Sequence, residues 1–410
     1  MKEIKIGIIG LGTVGSAVAE LIRKNSALIA ERAGVRLVVA KGCDVRKVRA
    51  SFPVTRDPYE IINDPEISIV VEAVGGERPA LNYILASIER GKHVVTPNKE
   101  VLALQGGKIY QAAARRGVFV KNEGAVGGGI PILSPLSHDL LANKISEVYG
   151  IVNGTTNYIL SKMTEEGMEF SEALKRAKEK GYAEANPRKD IEGYDASYKA
   201  AILAAGAFRL QIPWDKVHFE GISKITQEDI KYASEIGYVI KLLAVAKNHN
   251  GQVEVRVHPT LVPKEHPLAA VNGPMNAIYV KGEPVGELMF YGQGAGGPAT
   301  ASAIVADIIS ISKATRASHY SHWKAARIRP IDEIESRYYV RLTAPDRHGI
   351  LAGISKAFAD EKVSIAAVMQ KETKGRQATI VIIIHQAREA NLRRAIRRIK
   401  RVDNVIRVGL

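Results

Sequence analysis

The sequence predicts an α/β protein built from a parallel sheet, a second α+β region and a small β-α-β-β-α-β unit at its end. Two observations support this. Short apolar runs alternate with amphipathic helical stretches near the start. After residue 335, two helical patterns are interleaved with four strand-like runs. With 410 residues the chain is too long for one ordinary domain, and its 46% hydrophobic and 25% charged residues exclude disorder.

Cysteine content and hydropathy indicate the class of protein. The single cysteine, Cys43, cannot form an internal disulfide or assemble a zinc site alone, which indicates a reducing compartment such as the cytoplasm. No stretch reaches the roughly 18 apolar residues that a membrane-spanning helix requires. We interpret the short apolar run at residues 6–12 as part of the fold rather than as a signal segment.

The formal net charge of +15 is unevenly distributed. Residues 331–410 carry +7 of it, and much of this lies in 388–401, where apolar residues repeat at helical spacing opposite a row of arginines. A solvated basic face is the ordinary explanation. A phosphate-rich partner or an acidic neighbouring subunit are the alternatives, and we do not expect nucleic-acid binding.

The first apolar run, residues 4–9, is followed at once by a glycine-rich turn and a helical pattern. The turn reads Gly10-Leu11-Gly12-Thr13-Val14-Gly15. In such a unit the first glycine makes the tight turn, the second lets backbone approach a pyrophosphate, and the third lets the helix sit close to the strand. Free amides at the helix start then bind the anion. The segment predicts a Rossmann-type dinucleotide-binding domain; a purely structural turn is the alternative.

Further strands are predicted at 35–40, 67–73 and 92–96, so this sheet should be mainly parallel. At the end of the second strand, Asp44 could bind the adenosine ribose of NAD. Arg46, Lys47 and Arg49 beside it could instead neutralise the 2′-phosphate of NADP. Both cofactors stay possible, and the three cations favour NADP. Ordinary surface charges are the alternative interpretation.

Two segments near the end of this domain carry residues that nucleotide binding alone does not explain. Lys99 follows a predicted strand, and ligands bind at the carboxyl ends of strands in doubly wound sheets, so Lys99 is a candidate site group. The loop 122–131 combines Glu123 with four glycines, whose uncovered carbonyl oxygens could hold a hard cation. A flexible hinge between domains explains the glycines equally well.

Two polar clusters follow in the middle region. The segment 151–158, a hydroxyl-rich turn between an apolar strand and a helix predicted from Tyr158 onward, suits recognition of a carboxylate or an amine. Asp195 and Lys199 are four residues apart and so share one helix face. A surface salt bridge is the ordinary explanation. The alternative is a partly buried lysine, its pKa set by the adjacent carboxylate, that exchanges a proton with a carbonyl oxygen during hydride transfer.

Six segments together resemble the homoserine dehydrogenase family and span about residues 4–312. In order they are GLGTVG, TPNKE, EGAVGGGIP, NGTTNY, GYAEANPRKDIEGYDASYK and GQGAGGPATASAIVADI. Members of this family interconvert L-aspartate 4-semialdehyde and L-homoserine with NAD(P)H, in the threonine and methionine branch of aspartate metabolism. The resemblance implies a dinucleotide-binding domain at 1–132, completed by about 297–325. It also implies a substrate-binding and dimerisation domain at 133–296.

The resemblance also assigns site residues. The implied catalytic residues are Lys199, Lys99 and Asp195, with Lys199 favoured as the acid/base. The implied substrate contacts are Glu184 and Asp190, which would hold the amino group, together with Gly154 and Thr155. The implied cofactor contacts are Gly10, Gly12, Thr13, Val14, Thr96, Lys99 and Gly294, to which the residue pattern described above adds Gly15 and Arg46.

A structural sodium or potassium ion is implied as well. It would be held by Glu123 with carbonyl oxygens from Val126, Gly128 and Ile130. The sequence departs from the family pattern at Gly124, where alanine is common, and at Cys43, where arginine is common before the acid. The second departure weakens an inference of cofactor preference.

The end of the chain, residues 336–410, resembles an ACT domain, a ferredoxin-like sensor of small molecules. Strands are predicted at 338–342, 363–368, 379–385 and 405–408, with helices after the first and third. Gly349 would allow the tight turn at which such domains take an amino acid between paired copies. The resemblance implies threonine as effector and a homodimer or homotetramer. A domain that only builds oligomers is the alternative.

Two other functions compete with this one. The first is oxidation or reduction of another amino-acid semialdehyde on the same cofactor domain. The second is a non-catalytic effector sensor with a degenerate Rossmann domain, which the presence of Lys99, Lys199, Asp195, Glu184 and Asp190 argues against.

Overall fold

The first 121 residues form a six-stranded sheet covered by helices. A computed structural model of the chain describes residues 1–314, 323–371, 377–401 and 407–409. In chain order the elements of this unit are β1 (Lys2–Ile9), α1 (Thr13–Lys24), α2 (Ser26–Ala33), β2 (Val35–Cys43), β3 (Val54–Thr55), α3 (Tyr59–Ile62), β4 (Ile69–Glu72), α4 (Ala80–Glu89), β5 (His93–Val95), α5 (Lys99–Arg116) and β6 (Val120–Lys121). The predicted strands are confirmed, whereas β3 and β6 are too short to produce a recognisable pattern.

The sheet is parallel throughout, in the order β3-β2-β1-β4-β5-β6. The order reverses direction between β1 and β4, and ligands bind at such a switch point, outside the carboxyl ends of the strands. The side chains of β1 alternate between two cores. Ile6 and Ile8 pack with α1, whereas Ile9 packs with Ile61 of α3. The predicted Rossmann-type sheet is therefore confirmed.

The middle region contains a larger, mixed sheet. Its elements are α6 (Leu133–Ser137), β7 (Lys144–Ile151), α7 (Gly154–Glu166), α8 (Phe170–Glu179), α9 (Arg188–Ile191), α10 (Tyr194–Phe208), β8 (Leu210–Gln211), β9 (His218–Phe219), α11 (Gln227–Glu235), β10 (Tyr238–His249), β11 (Gln252–Pro263), β12 (Met275–Glu283) and β13 (Gly286–Gln293). Neighbouring strands follow the order β13-β12-β7-β10-β11, and β9 pairs with β11. Helix α10 packs against this sheet and also against α5 of the first unit. Its side chains are therefore buried on most sides, and it joins the two units.

Helix α7 begins at Gly154, so the prediction that this helix starts at Tyr158 is wrong by one turn. The Asn153 side chain accepts a hydrogen bond from the Thr156 amide and caps the helix. Because the first turn is polar, the apolar periodicity begins only after it, and the sequence pattern missed this turn.

The chain then returns to the first unit through α12 (Gly297–Lys313). This helix packs on α1, and its Ile304 and Ile308 share a core with Ile6 and Ile8. Two short strands follow, β14 (Lys324–Ala325), which pairs with β8, and β15 (Arg327–Ile328), which extends the mixed sheet beside β11. The segment thus ties the first two units together.

The last unit has the predicted β-α-β-β-α-β order. Its elements are β16 (Glu335–Pro345), α13 (Ile350–Asp360), β17 (Ile365–Lys371), β18 (Gln377–Arg388), α14 (Glu389–Ile399) and β19 (Arg407–Gly409). The strands pair antiparallel in the order β17-β18-β16-β19. The strand predicted at 405–408 agrees with β19 at residues 407 and 408, while 405 and 406 lie outside the described residues.

Helix α14 carries the basic face noted in the sequence. Its apolar side, with Leu392 and Ile396, is buried as predicted. On the other side, Arg394 and Arg398 each contact the Glu361 carboxylate at 2.6 Å. Part of the positive charge is therefore neutralised within the unit itself, which weighs against a phosphate-rich partner. No helix among the described residues is long and apolar enough to cross a membrane.

A buried ion pair connects the last unit to the middle region. The Arg341 guanidinium of β16 contacts Asp229 of α11 at 2.6 and 3.1 Å and Glu228 at 3.0 Å. The Tyr339 hydroxyl donates to Asp229 at 3.0 Å. Burial opposes ionisation of Asp229, but Arg341 and the Thr226 cap outweigh it and lower the pKa of this carboxyl.

We expect Arg341→Ala to lower the free energy of unfolding by about 3 kcal/mol, because it leaves a buried carboxylate without its cation. Arg388→Ala, which removes an exposed pair with Glu335, should change it by less than about 0.5 kcal/mol. Thermal unfolding midpoints measure both. Because the fold lowers the pKa of Asp229, the ion pair contributes to stability only while this carboxyl is ionised. The difference in free energy of unfolding between Arg341→Ala and wild type should therefore be largest above about pH 4 and shrink as the pH falls below it. Equal midpoints for the two variants would contradict the prediction.

Candidate active site

The glycine-rich turn lies at the switch point of the parallel sheet. Gly10 has a φ of +97°, and a side chain there would meet the Ala73 carbonyl oxygen at 2.6 Å. A side chain at Gly15 would lie 1.9 Å from the Gly10 carbonyl oxygen. Gly12 caps α1, and Thr13 and Val14 are its first residues, so their amides point out of the helix start. The turn has the shape that a pyrophosphate requires.

Asp44 and Arg46 lie beside this turn, directly after β2. The buried Asp44 carboxylate accepts the Leu11 amide at 2.9 Å and two guanidinium bonds from Arg46 at 3.0 Å each. These bonds, those of Arg46 above all, hold the pKa of Asp44 well below its ordinary range. The Arg46 side chain is 66% exposed and lies close to Gly12. Asp44 and Arg46 are therefore paired with each other beside the turn, and the Arg46 side chain stays largely exposed.

Three charged residues from two units meet at the centre of the candidate site. Asp195 and Lys199 lie on the first turns of α10, and Lys99 is the first residue of α5. The Lys199 ammonium group contacts one Asp195 oxygen at 2.7 Å, and the Lys99 ammonium group lies 3.4 Å from the other. Lys199 also donates to the Val152 carbonyl at 2.7 Å. Asp195 and Lys199 are buried, whereas the Lys99 side chain is 43% exposed.

Asn153 connects this cluster to a second carboxylate. Its side-chain amide donates to Asp190 at 2.7 Å and to Asp195 at 2.9 Å, while its oxygen caps α7. Each of its side-chain hydrogens thus has an acceptor. The family resemblance assigned Gly154 and Thr155 to the substrate site and did not assign Asn153. An Asn immediately before a helix is an N-cap signal, and this signal could have identified it.

The electrostatics of the two carboxylates differ. Burial opposes ionisation of Asp195, but Lys199, Lys99 and the Asn153 amide outweigh it and hold the pKa of Asp195 well below its ordinary range. Burial and the neighbouring Asp195 charge raise the pKa of Asp190. One carboxylate is therefore held ionised against two ammonium groups, and the other is shifted toward its neutral form.

The remaining substrate-site predictions divide into two groups. The Thr155 hydroxyl donates to the Tyr182 carbonyl at 2.5 Å and lies 3.5 Å from Asp190. A side chain at Gly154 would lie 2.7 Å from the Pro274 carbonyl oxygen, so the turn needs glycine there. These two residues therefore adjoin the cluster. Glu184 lies exposed, and its carboxylate makes no hydrogen bond or ion pair with any described residue.

Glu123 binds the start of α6. Its carboxylate accepts the amides of Ile132 and Leu133 at 2.6 and 2.9 Å on one oxygen and that of Ser134 at 2.6 Å on the other. Val126, Gly128 and Ile130 are buried in the turn between. No group of three or more His, Cys, Asp or Glu side chains in the described part of the chain is arranged to hold a metal. A cation in this loop would depend on carbonyl oxygens.

Gly294 and Thr96, two of the predicted cofactor contacts, are packed against different parts of the protein. The loop containing Gly294 abuts the turn at Gly128, where a side chain would lie 2.5 Å from the Gly294 carbonyl carbon. The next helix, α12, begins beside Thr13 of the nucleotide turn. Thr96 is fully buried, and its hydroxyl donates to Glu72 and accepts from the Asn98 amide. Its side chain is thus engaged within the protein.

Comparison with known proteins identifies the family. The homoserine dehydrogenase NAD-binding model matches residues 10–121, the homoserine dehydrogenase model matches 131–309, and the ACT model matches 338–404. A homoserine dehydrogenase of Neisseria gonorrhoeae is 43% identical, with 99% of this chain and 97% of the relative covered. The chain belongs to the homoserine dehydrogenase family. It is thus an NAD(P)-dependent oxidoreductase, and the resemblance inferred from its sequence is confirmed.

Other homoserine dehydrogenases also match most or all of this chain. A homoserine dehydrogenase of Synechocystis is 41% identical, with 99% of each chain covered. The solved structure of one from Thiobacillus denitrificans has a TM-score of 0.95 at 42% identity and covers 100% of this chain and 97% of its own. A hyperthermophilic archaeal homoserine dehydrogenase, solved in complex with NADPH, has a TM-score of 0.65 at 27% identity and covers 77% of this chain and 100% of its own. A sensor without catalytic activity is disfavoured accordingly.

Proposed function

We propose that Lys199 transfers the proton and Lys99 stabilises the charge on the reacting oxygen when this homoserine dehydrogenase interconverts L-aspartate 4-semialdehyde and L-homoserine. The observation behind this proposal is the convergence of both ammonium groups on Asp195, at the junction of α5 and α10. When bound, the nicotinamide supplies or accepts the hydride. The protein must then stabilise the oxygen that gains or loses charge, and two adjacent ammonium groups do so.

Lys199 is assigned as the acid/base and Asp195 as the group that orients it. In the reductive direction Lys199 donates a proton to the carbonyl oxygen of the semialdehyde, and in the oxidative direction it takes the hydroxyl proton of homoserine. Its two bonds, to Asp195 and to the Val152 carbonyl, fix its position. Lys99, being more exposed, is assigned to stabilising negative charge on the same oxygen.

Asp190 and Glu184 are proposed to hold the substrate amino group, beside Gly154 and Thr155. An ammonium group beside Asp190 would favour its ionised form and offset the effect of burial on its pKa. Glu184 lies exposed on the loop before α9, so it would have to close over the substrate to take part. Comparing the rate of proteolysis of this loop with and without substrate measures that movement.

NADP is proposed as the preferred cofactor. Asp44 is engaged by the Leu11 amide and by Arg46, so its oxygens are poorly placed to accept ribose hydroxyls. The exposed Arg46 beside Gly12 provides a guanidinium for a 2′-phosphate, and Gly10, Gly12, Thr13, Val14 and Gly15 would hold the pyrophosphate. Thr96, Lys99 and Gly294 would border the nicotinamide end, with Thr96 acting through its backbone because its hydroxyl is engaged.

The loop 123–130 fits a monovalent cation by its donor chemistry. The three amides already bound to the Glu123 carboxylate leave the carbonyl oxygens of Val126, Gly128 and Ile130 as the proposed ligands of sodium or potassium. The ion's role would be structural. A higher thermal midpoint in sodium or potassium chloride than in tetramethylammonium chloride of equal ionic strength would support this.

Regulation and assembly are proposed from the last unit. The ACT domain is assigned an amino-acid effector, with threonine as the candidate, and its Arg341–Asp229 contact offers a physical connection through α11, which packs on α7, to the site. A homodimer or homotetramer in the cytoplasm, within threonine and methionine biosynthesis, completes the assignment. Cys43 is buried, and burial raises the pKa of its thiol to about 11. A thiol kept in this form suits a reducing compartment. Measuring activity as threonine is added tests the proposed effector. Light scattering measures the oligomeric state.

We expect Lys199→Ala to lower kcat by more than about a hundredfold while the Kd for NADPH changes little. The matched control is Lys162→Ala, which removes another lysine paired with an acid four residues away, on α7. Initial rates with L-homoserine and fluorescence titration with NADPH provide the two measurements. A near-normal kcat for Lys199→Ala would remove this residue from the chemistry.

We expect Arg46→Ala to weaken NADPH binding by about tenfold or more, since it removes a charge-assisted bond, and to leave NADH binding unchanged or stronger, since Asp44 loses the guanidinium that occupies its oxygens. Arg32→Ala, which removes an exposed arginine from α2 of the same domain, serves as the control. Fluorescence titration with each dinucleotide gives the affinities. An equal loss for both cofactors would show that Arg46 does not read the 2′-phosphate.

A further inference from the structure

A buried carboxylate, Glu72, lies at the switch point of the parallel sheet without a role in the chemistry above. It is the last residue of β4 and is 0% exposed. One oxygen accepts the Thr96 hydroxyl at 2.7 Å, and the other accepts the amides of Val74 at 2.7 Å and Gly75 at 3.3 Å. Among the described residues, no cationic side chain pairs with it. Burial raises the pKa of Glu72.

Burying an acid beside neutral partners alone carries a desolvation cost, which its hydrogen bonds must offset. The bonds that it makes show what it holds in place. Strands β4 and β5 are paired in parallel with Val71 opposite Val95, so their ends lie side by side. Glu72 therefore meets Thr96 directly, where ligands of such sheets bind.

A continuous chain of hydrogen bonds leads from Glu72 to the start of α5. The Thr96 hydroxyl, which donates to Glu72, accepts the Asn98 amide at 3.0 Å. The Asn98 side chain then accepts the Val101 amide at 3.2 Å, which caps α5, and donates to the Gly76 carbonyl at 2.7 Å. The two loops after β4 and β5 are thereby tied to each other and to the first turn of the helix.

Lys99 is the residue that this first turn carries. Its ammonium group lies 3.4 Å from Asp195, and its side chain is 43% exposed. A long, half-exposed side chain with one ion-pair partner depends on its backbone for its position. We propose that Glu72 is a positioning residue that, through Thr96 and Asn98, fixes the first turn of α5 and so places the Lys99 ammonium group opposite Asp195. This inference rests on the proposed role of Lys99.

The test uses Glu72→Gln and Thr96→Val, each close in shape to the native residue. Glu72→Gln presents an NH2 group where one of the two acceptor oxygens was, and Thr96→Val removes the hydroxyl that links Glu72 to Asn98. We expect each to lower kcat about tenfold to a hundredfold, because small displacements of a reacting group cost rates of this order. Thr96→Ser, which keeps the hydroxyl, should restore most of the activity.

Thr55→Val is the matched control. The Thr55 hydroxyl also donates to a glutamate, Glu60 at 2.6 Å, and also accepts an amide two residues on, that of Asp57 at 3.1 Å. The Thr55→Val substitution therefore removes the same pattern of bonds at an exposed place in the same domain. The kcat of this variant should stay within about twofold of wild type. Thermal midpoints of all variants establish that they are folded.

Two further measurements separate positioning from general destabilisation. In a Lys99→Met background, Thr96→Val should have little further effect on kcat, because residues that act through one another are not additive. In the otherwise native enzyme, Thr96→Val should raise the rate at which an amine-specific reagent labels Lys99, while labelling of the buried Lys199 changes little. Mass spectrometry of peptides measures the labelling.

The outcomes distinguish this inference from the proposed function. If Lys99→Met leaves kcat unchanged, the proposed role of Lys99 fails. If Lys99→Met lowers kcat but Thr96→Val retains its full effect on top of it, the positioning of Lys99 by Glu72 is overturned while the role of Lys99 stands. An unchanged rate of Lys99 labelling in the folded Thr96→Val variant would also overturn the positioning of Lys99 by Glu72.

Discussion

The buried Asp195 carboxylate is held ionised by two ammonium groups, and this charge pairing determines how the candidate active site is assembled. Its two oxygens face ammonium groups from different elements, one on its own helix and one from the first turn of α5. Because α10 lies between α5 and the mixed sheet, the pairing of Asp195 also fixes the junction between the parallel-sheet unit and the middle region. Breaking such a buried pair costs several kcal/mol, so the arrangement of the proposed catalytic groups and the packing of the units are coupled.

Much of the fold could be predicted because its signals are local in sequence. The glycine pattern at 10, 12 and 15 lies within one strand–turn–helix segment and is therefore readable from the sequence. The structure gives a physical reason for two of the three, since a side chain at Gly15 would collide with the Gly10 carbonyl and one at Gly10 with the backbone of Ala73. The β-α-β-β-α-β order of the last unit was likewise readable from alternating patterns. The helical spacing of Asp195 and Lys199 correctly placed them on one face, four residues apart on α10.

The rest of the site depends on contacts that sequence spacing does not encode. Asn153 bridges acids 37 and 42 residues away, and Glu72 meets Thr96 only because β4 and β5 are neighbours in the sheet. The pair of Arg341 with Asp229 joins residues 112 apart. Each of these side chains is an ordinary polar residue when viewed within its own segment. Their roles follow from burial, which obliges polar groups to find partners at long range.

The charge balance of the site favours the chemistry proposed for it. Two ammonium groups face one carboxylate that is held ionised, while burial and the Asp195 charge shift Asp190 toward its neutral form. The arrangement thus leaves positive charge in excess where a carbonyl oxygen gains negative charge as hydride reaches its carbon. If Asp195 were absent, the two ammonium groups would repel each other and Lys199 would lose an anchor. Asp195 therefore allows two cations to share one small volume, and Asn153 holds the second acid beside them without a further charge.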